Sequence, residues 1–255
     1  GHIIVRSRCF RDPCCIGFHR GCRPTSAFLT IHHAGVQNRL LPSEEAVTRC
    51  MHGLGAIILC GGQSRRMGEP KLSLPIGDET MLGRTTRVVG EVAHPIVVVS
   101  RMDQPLPPLP EGVEIAHDAE EGLGPIAGLA SGFARLAGRC EAVVAVSCDH
   151  PLLRSELLRK LAELLGEAPA IAPIHEGRSY PLLALYRAEV GAYVEAMLAE
   201  HDLRAQNLLE RVQARLISSD LLRDVDPDLD SLFNVNDQVS YEQALRMLRA
   251  RGEME

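Results

Sequence analysis

LGAIILC at residues 54–60 runs directly into GGQSRRMGEPK at residues 61–71. A short apolar run bounded by glycines reads as a buried strand. The glycine- and arginine-rich stretch after it is a poor core segment, because glycine and fixed positive charge gain little from burial. Ligands of open α/β folds bind where such strands end, at the carboxyl edge of the sheet. Gly61 and Gly62 permit positive φ and close approach there, so consecutive amides can form an anion-binding concavity, with Arg65, Arg66 and Lys71 adding charge around phosphates. The stretch thus has the chemistry of a polyphosphate cradle; the alternative is a solvated loop whose arginines face water. It is neither a P-loop, since Gly68 is followed by Glu69-Pro70-Lys71, nor a G-x-G-x-x-G fingerprint.

Downstream, apolar β-branched runs alternate with segments of helical period. Strands are expected at 54–60, 96–100, 113–116, 142–147, 170–172, 182–186 and 215–217. Helices are expected at 80–93, 125–136, 154–165, 187–200, 203–212 and 241–251. The central strands are almost purely apolar, as when helices cover both faces of a parallel sheet. The fold class is therefore α/β, a doubly wound, mostly parallel sheet. Pro105, Pro107, Pro108, Pro110 and Gly112 predict an extended surface connection, and Ser240–Gln243 reads as a capping box opening the last helix.

The chain has 255 residues, 45% of them hydrophobic and 24% charged, which suits a globular protein with a sizeable core. Its longest apolar runs fall far short of the roughly 20 residues that cross a bilayer. The net charge is −6, but residues 1–50 hold seven arginines against Asp12, Glu44 and Glu45, a balance of +4 that leaves −10 for the rest. An acidic body argues against a general nucleic-acid surface and implies that a polyphosphate would be met by local donors and a divalent cation. Five of the eight cysteines lie in the first fifty residues, as C-x4-C-C-x6-C and Cys50, without the paired spacing of a zinc site. Residues 1–50 are expected to be a disordered or mis-assigned leader, with Met51 as the true start, and residues 51–255 the folded domain. No secretory signal is legible, so the expected location is the cytoplasm.

Two further motifs carry chemistry. In VVAVSCDHP, residues 143–151, a buried strand delivers Asp149 at its carboxyl end. A carboxylate there can hold Mg²⁺, which takes one or two carboxylates plus substrate phosphates; an Asx turn opening the next helix is the other reading. His150 reads as a satisfied surface histidine and Cys148 as packing. In HDAEEGLGPIAGLASGF, residues 117–133, Asp118 ends a strand and is a candidate metal or ribose ligand. Gly124 precedes a helix-starting Pro125, where backbone could approach a base or ribose, while Gly128 and Gly132 suit close packing on the sheet.

With these residues in place, the chain resembles the molybdenum cofactor guanylyltransferases of the Rossmann-like nucleotidyltransferase superfamily. LCGGQSRRMGEPK is similar to that family's LAGG-x-S-x-RMG-x-x-K, with Cys60 for an alanine. Asp118 with GPIAG, Cys148-Asp149-His150-Pro151, Tyr180–Leu185 and Asn234-Val235-Asn236 match its later motifs in order, over about residues 54–248. The resemblance implies transfer of GMP from GTP to the terminal phosphate of molybdenum-loaded molybdopterin, with release of pyrophosphate and with Mg²⁺ as cofactor. It implies that Leu59, Cys60 and Gly61 meet the nucleotide through backbone groups, that Lys71 and Arg66 serve the phosphates, and that Asp118 and Asp149 line the site. Asp149 would hold the metal and Asn234 and Asn236 would lie toward the acceptor. Molybdopterin-loading and molybdoenzyme proteins are the implied protein partners, with no nucleic acid and no membrane. Pro70 in place of the usual aspartate before the lysine, a loop one residue shorter, and Ser100-Arg101 where an asparagine is common are departures. They leave open a molybdopterin cytidylyltransferase, a sugar-phosphate nucleotidyltransferase or a non-catalytic nucleotide-binding regulator; the paired glycines favour GTP.

Overall fold

The computed structural model describes residues 53–60, 70–117 and 123–254. The expectations for residues 1–50, and those for Gly61, Arg66 and Asp118, lie outside these residues.

Strand β1 (Leu54–Leu59) is buried along its whole length because both of its faces are covered. Ala56 and Ile58 enter one core and Ile57 and Leu59 the other, the period-2 alternation of a strand dividing one apolar run between two layers. β4 (Ile96–Ser100) and β6 (Ala142–Ser147) flank it in parallel, with Ile57 opposite Val97 on one side and Ala145 on the other. β5 (Glu114–His117) extends the sheet beyond β4. On the other side come β9 (Leu183–Arg187), β7 (Ala170–His175) and β10 (Arg215–Ser218), giving the order β10-β7-β9-β6-β1-β4-β5. The chain moves outward from β1 through β4 to β5 and then returns to β1's opposite side as β6. The topological switch point thus falls between β1 and β6, where ligands of doubly wound sheets are taken.

Helices α1 (Met81–Gly90) and α3 (Ser155–Leu165) cover one face through Leu82, Val88, Val89, Leu157, Leu158, Leu161 and Leu165. On the other face lie α2 (Gly124–Leu136), α4 (Val190–Ala199) and α5 (Ala205–Arg211). α1 opens with Thr80, whose hydroxyl accepts from the Gly83 N–H, and stops short of His94-Pro95, since a residue preceding proline leaves the helical region. The connection rich in prolines is irregular, as expected, but Leu106, Leu109 and Val113 anchor it to the core.

Two features depart from the sequence expectations. β9 runs antiparallel to both neighbours, because β7 reverses through Glu176-Gly177, both at positive φ, into the short β8 (Arg178–Ser179). The last helix, α6, spans Gln238–Ala250, earlier than expected, because Asp237 and not Ser240 is its N-cap. Ser240 is instead the third helical residue, returning its hydroxyl to the Asp237 backbone N–H while the Asp237 carboxylate accepts the Ser240 N–H.

A third, smaller core joins the two ends of this domain. The β2–β3 hairpin (Pro75–Ile76 and Glu79–Thr80) packs with α6 through Leu74, Ile76, Met81, Leu152, Val235, Tyr241, Ala244 and Leu248. The Tyr241 hydroxyl donates to the Pro75 carbonyl oxygen.

Close contact of α2 with β1 requires Gly132: a Cβ there would stand 2.7 Å from carbons of the fully buried Ile57. Gly132→Val is expected to lower stability by about 1–3 kcal/mol, the usual cost of overpacking. Urea unfolding followed by circular dichroism checks this; a midpoint equal to wild type would contradict it.

Candidate functional site

The pairing of β1 with β6 continues one residue past the end of β6, since the Cys148 N–H donates to the Leu59 carbonyl at 3.0 Å. Cys60 and Cys148 therefore finish side by side at the carboxyl edge, and Asp149 comes immediately after. Leu59 and Cys60 are buried, and the Cys60 N–H donates to the Val99 carbonyl at 2.9 Å. The Cys60 carbonyl already accepts from the Gln104 side chain at 3.3 Å. The Cys60 thiol is held well above its ordinary pKa, first by its hydrogen bond with Cys148 and then by burial. A thiol kept protonated in this way is not a nucleophile; Cys148 packs in the core, as expected.

The segment 234–236 ties the other site residues together. Val235 is completely buried in the third core, and its N–H donates to the Asp149 carbonyl at 2.9 Å. On one side of it, the Asn234 amide nitrogen donates to Asp149 Oδ1 at 3.3 Å. On the other, Lys71 Nζ donates to the Val235 carbonyl at 2.8 Å and to Asn236 Oδ1 at 3.2 Å. Lys71, Asp149, Asn234 and Asn236 are thus brought to one place from three parts of the chain. Pro70 supplies the carbonyl that accepts the Ser73 N–H, setting the short 3-10 turn Lys71–Ser73 that carries the lysine.

The Asp149 turn is buttressed from beneath. Arg84 Nε donates to the Pro151 carbonyl at 2.7 Å and Arg251 Nη1 to the Leu152 carbonyl at 3.3 Å. Arg84 is ion-paired with Glu253, and Arg251 with Asp230. His150 corrects the sequence expectation: it is no surface histidine but 2% exposed. Its ring lies between the Ser231 carbonyl and the Asn234 amide, at 2.9 and 3.1 Å. Burial is the main influence on its pKa and lowers it, outweighing the Asp149 charge that acts the other way. Ser231 is held in turn by Asp226, fully buried, whose carboxylate accepts the Ser231 N–H at 2.8 Å and the Asp230 N–H at 3.3 Å and faces Arg154. Nothing in the sequence marks Ser231 or Asp226 as belonging with Asp149, and His150 stands there only as the residue between Asp149 and Pro151 in the matched motif.

Among the described residues no three His, Cys, Asp or Glu side chains cluster as a metal cage. Among the described residues, Asp149 presents a carboxylate that could serve a cation sharing its shell with phosphates. Its side chain is 20% exposed, Oδ1 is oriented by Asn234, and no described residue donates to Oδ2. No helix among the described residues is long and apolar enough to cross a membrane.

The MobA-like NTP transferase domain family matches residues 56–216. The chain belongs to this family. A relative from Mycobacterium ulcerans (strain Agy99), "Probable molybdenum cofactor guanylyltransferase", is 35% identical over 188 residues, 72% of this chain and 89% of its own. One of the same description from Bacillus mycoides (strain KBAB4) is 30% identical over 204 residues, 78% of this chain and 98% of its own. The crystal structure of molybdopterin-guanine dinucleotide biosynthesis protein A from Archaeoglobus fulgidus shares the fold, with a TM-score of 0.64 at 21% identity, covering 77% of this chain and 99% of that one. The family match ends before Asn234.

Asp226→Ala removes the acceptor of two backbone N–H groups and the partner of Arg154. It is expected to cost about 2–4 kcal/mol of stability in a denaturant titration. A loss below about 1 kcal/mol would show that the turn holds without it.

Proposed function

We propose that this protein is a molybdenum cofactor guanylyltransferase, transferring GMP from GTP to the terminal phosphate of molybdenum-loaded molybdopterin and releasing pyrophosphate. The observation that carries the proposal is the meeting of Lys71 and Asp149 on one short segment, 234–236, at the switch point of the sheet. The identity to relatives named for this activity supports the choice of substrates.

The attacking phosphate monoester is anionic near neutral pH and needs no general base, and no covalent enzyme intermediate is required. The obstacle is bringing two anions together in line. Lys71, with its amine already directed by the Val235 carbonyl and Asn236, offsets charge on the phosphates at little cost in reorganisation. Arg66 and the amides after Gly61 are assigned the same task on the leaving pyrophosphate. Asp149, with Asp118 as a candidate second ligand, would hold Mg²⁺, whose contribution is to neutralise and orient the phosphate oxygens. Asn234 and Asn236 are assigned to the acceptor side of the same cleft. Orientation of both substrates supplies several further kcal/mol. The setting is cytoplasmic, where molybdopterin-loading and molybdoenzyme proteins would deliver acceptor and take product.

Asp149→Asn removes the charge while keeping the shape and the amide contact. Turnover is expected to fall by about 100-fold or more with the circular dichroism spectrum unchanged; near-normal turnover would remove Asp149 from the chemistry. Pyrophosphate release with molybdopterin as acceptor, measured across GTP, CTP, ATP and UTP, is expected to favour GTP. Preference for CTP would make the enzyme a cytidylyltransferase, and nucleotide binding without turnover would make it a regulator.

A further inference from the structure

The two ring nitrogens of His150 have opposite duties. Nδ1 faces the Ser231 carbonyl oxygen, which can only accept, so Nδ1 carries the proton. Nε2 faces the Asn234 side-chain nitrogen, which can only donate, so Nε2 offers its lone pair. That nitrogen has two hydrogens, and with one directed at His150 the other is left for Asp149 Oδ1. Turning the amide over would set its oxygen against a carboxylate oxygen and a ring lone pair together, two repulsive contacts in place of two hydrogen bonds. The ring, with Nδ1 donating and Nε2 accepting, and the amide therefore fix one another.

We infer that His150 is a positioning residue: it locks the Asn234 amide, and through it the Asp149 carboxylate, so that Oδ2 is kept for a cation bound with the nucleotide. The inference rests on reading Asp149 as the metal-bearing carboxylate. His150 touches neither metal nor substrate. Its anchor is firm, since Ser231 donates its N–H to the buried Asp226 and accepts the Arg154 N–H on its hydroxyl at 3.1 Å. A rigid ring with a donor on one edge and an acceptor on the other spans Ser231 and Asn234; an aliphatic side chain of similar size would leave the amide hydrogen unsatisfied.

Glutamine and asparagine separate the two functions. A glutamine carbonyl can reach the position of Nε2, whereas an asparagine amide reaches only that of Nδ1. GTP is titrated calorimetrically into the full-length protein with Mg²⁺ and again with EDTA, and the ratio of the two Kd values is the metal-dependent gain. His150→Gln is expected to keep the wild-type gain. His150→Asn is expected to lose about 10–100-fold of it while the metal-free Kd stays the same. Asn234→Ser, which leaves the buried ring in place, is expected to lose the gain similarly and gives the same reading if His150→Asn does not fold. Equal weakening with and without Mg²⁺, or an undiminished gain in His150→Asn or Asn234→Ser, overturns the positioning role. Asp149→Asn is the control: an undiminished gain there overturns the reading of Asp149 and the positioning role with it.

Discussion

The structure depends on the in-register parallel pairing of β1 with β6, from Leu54 opposite Ala142 to Leu59 opposite Ser147. Both strands are buried on both faces, and a shift of one residue would send each apolar side chain into the opposite layer. Fixing that register fixes where the two strands end, and so sets Cys60 beside Cys148 and the Asp149 turn. The placement of Lys71 and Asp149 at one edge is a consequence of core packing, the largest favourable term in folding. Gly132 belongs to the same constraint, since it lets α2 lie close against Ile57.

The second half of the site comes from the end of the chain. Burial of Val235 in the core shared by α6, the β2–β3 hairpin and Leu152 is a hydrophobic event, yet it decides where Asn234 and Asn236 stand. The polar contacts then act as alignment. Lys71 and Asp149 are joined to the segment 234–236 through backbone groups as well as side chains, which ties their separation to the backbone more than to rotamers. Arg84 and Arg251, each bonded to a carbonyl of the Pro151-Leu152 turn and ion-paired to the C-terminal region, brace the same turn. Function and fold meet in this clasp between the first third of the domain and its last helix.

Much of the fold was legible because it is written in local patterns. The runs 96–100 and 142–147 were bounded correctly since apolar stretches end there at polar or turn residues. The antiparallel direction of β9 was not legible: a strand buried on both faces has the same pattern in either direction, and the reversal at Glu176-Gly177 lacks the usual Asn-Gly or Asp-Gly signal. The two-residue strands β2, β3 and β8 are too short for any periodicity. Lys71 and Asp149 are singled out in the sequence by their places after apolar strands, Asn234 and Asn236 by motif resemblance alone, and the convergence of the four is what the fold adds. His150 was misplaced because its burial is set by the Ser231 carbonyl, 81 residues away, and no local pattern announces such a partner.

The most direct measurement is a crystal structure with GTP and Mn²⁺, with manganese located by its anomalous scattering. The metal is expected on the Asp149 carboxylate, with the triphosphate beside Lys71. A triphosphate bound away from the β1–β6 edge, or a metal that does not touch Asp149, would contradict this reading of the site.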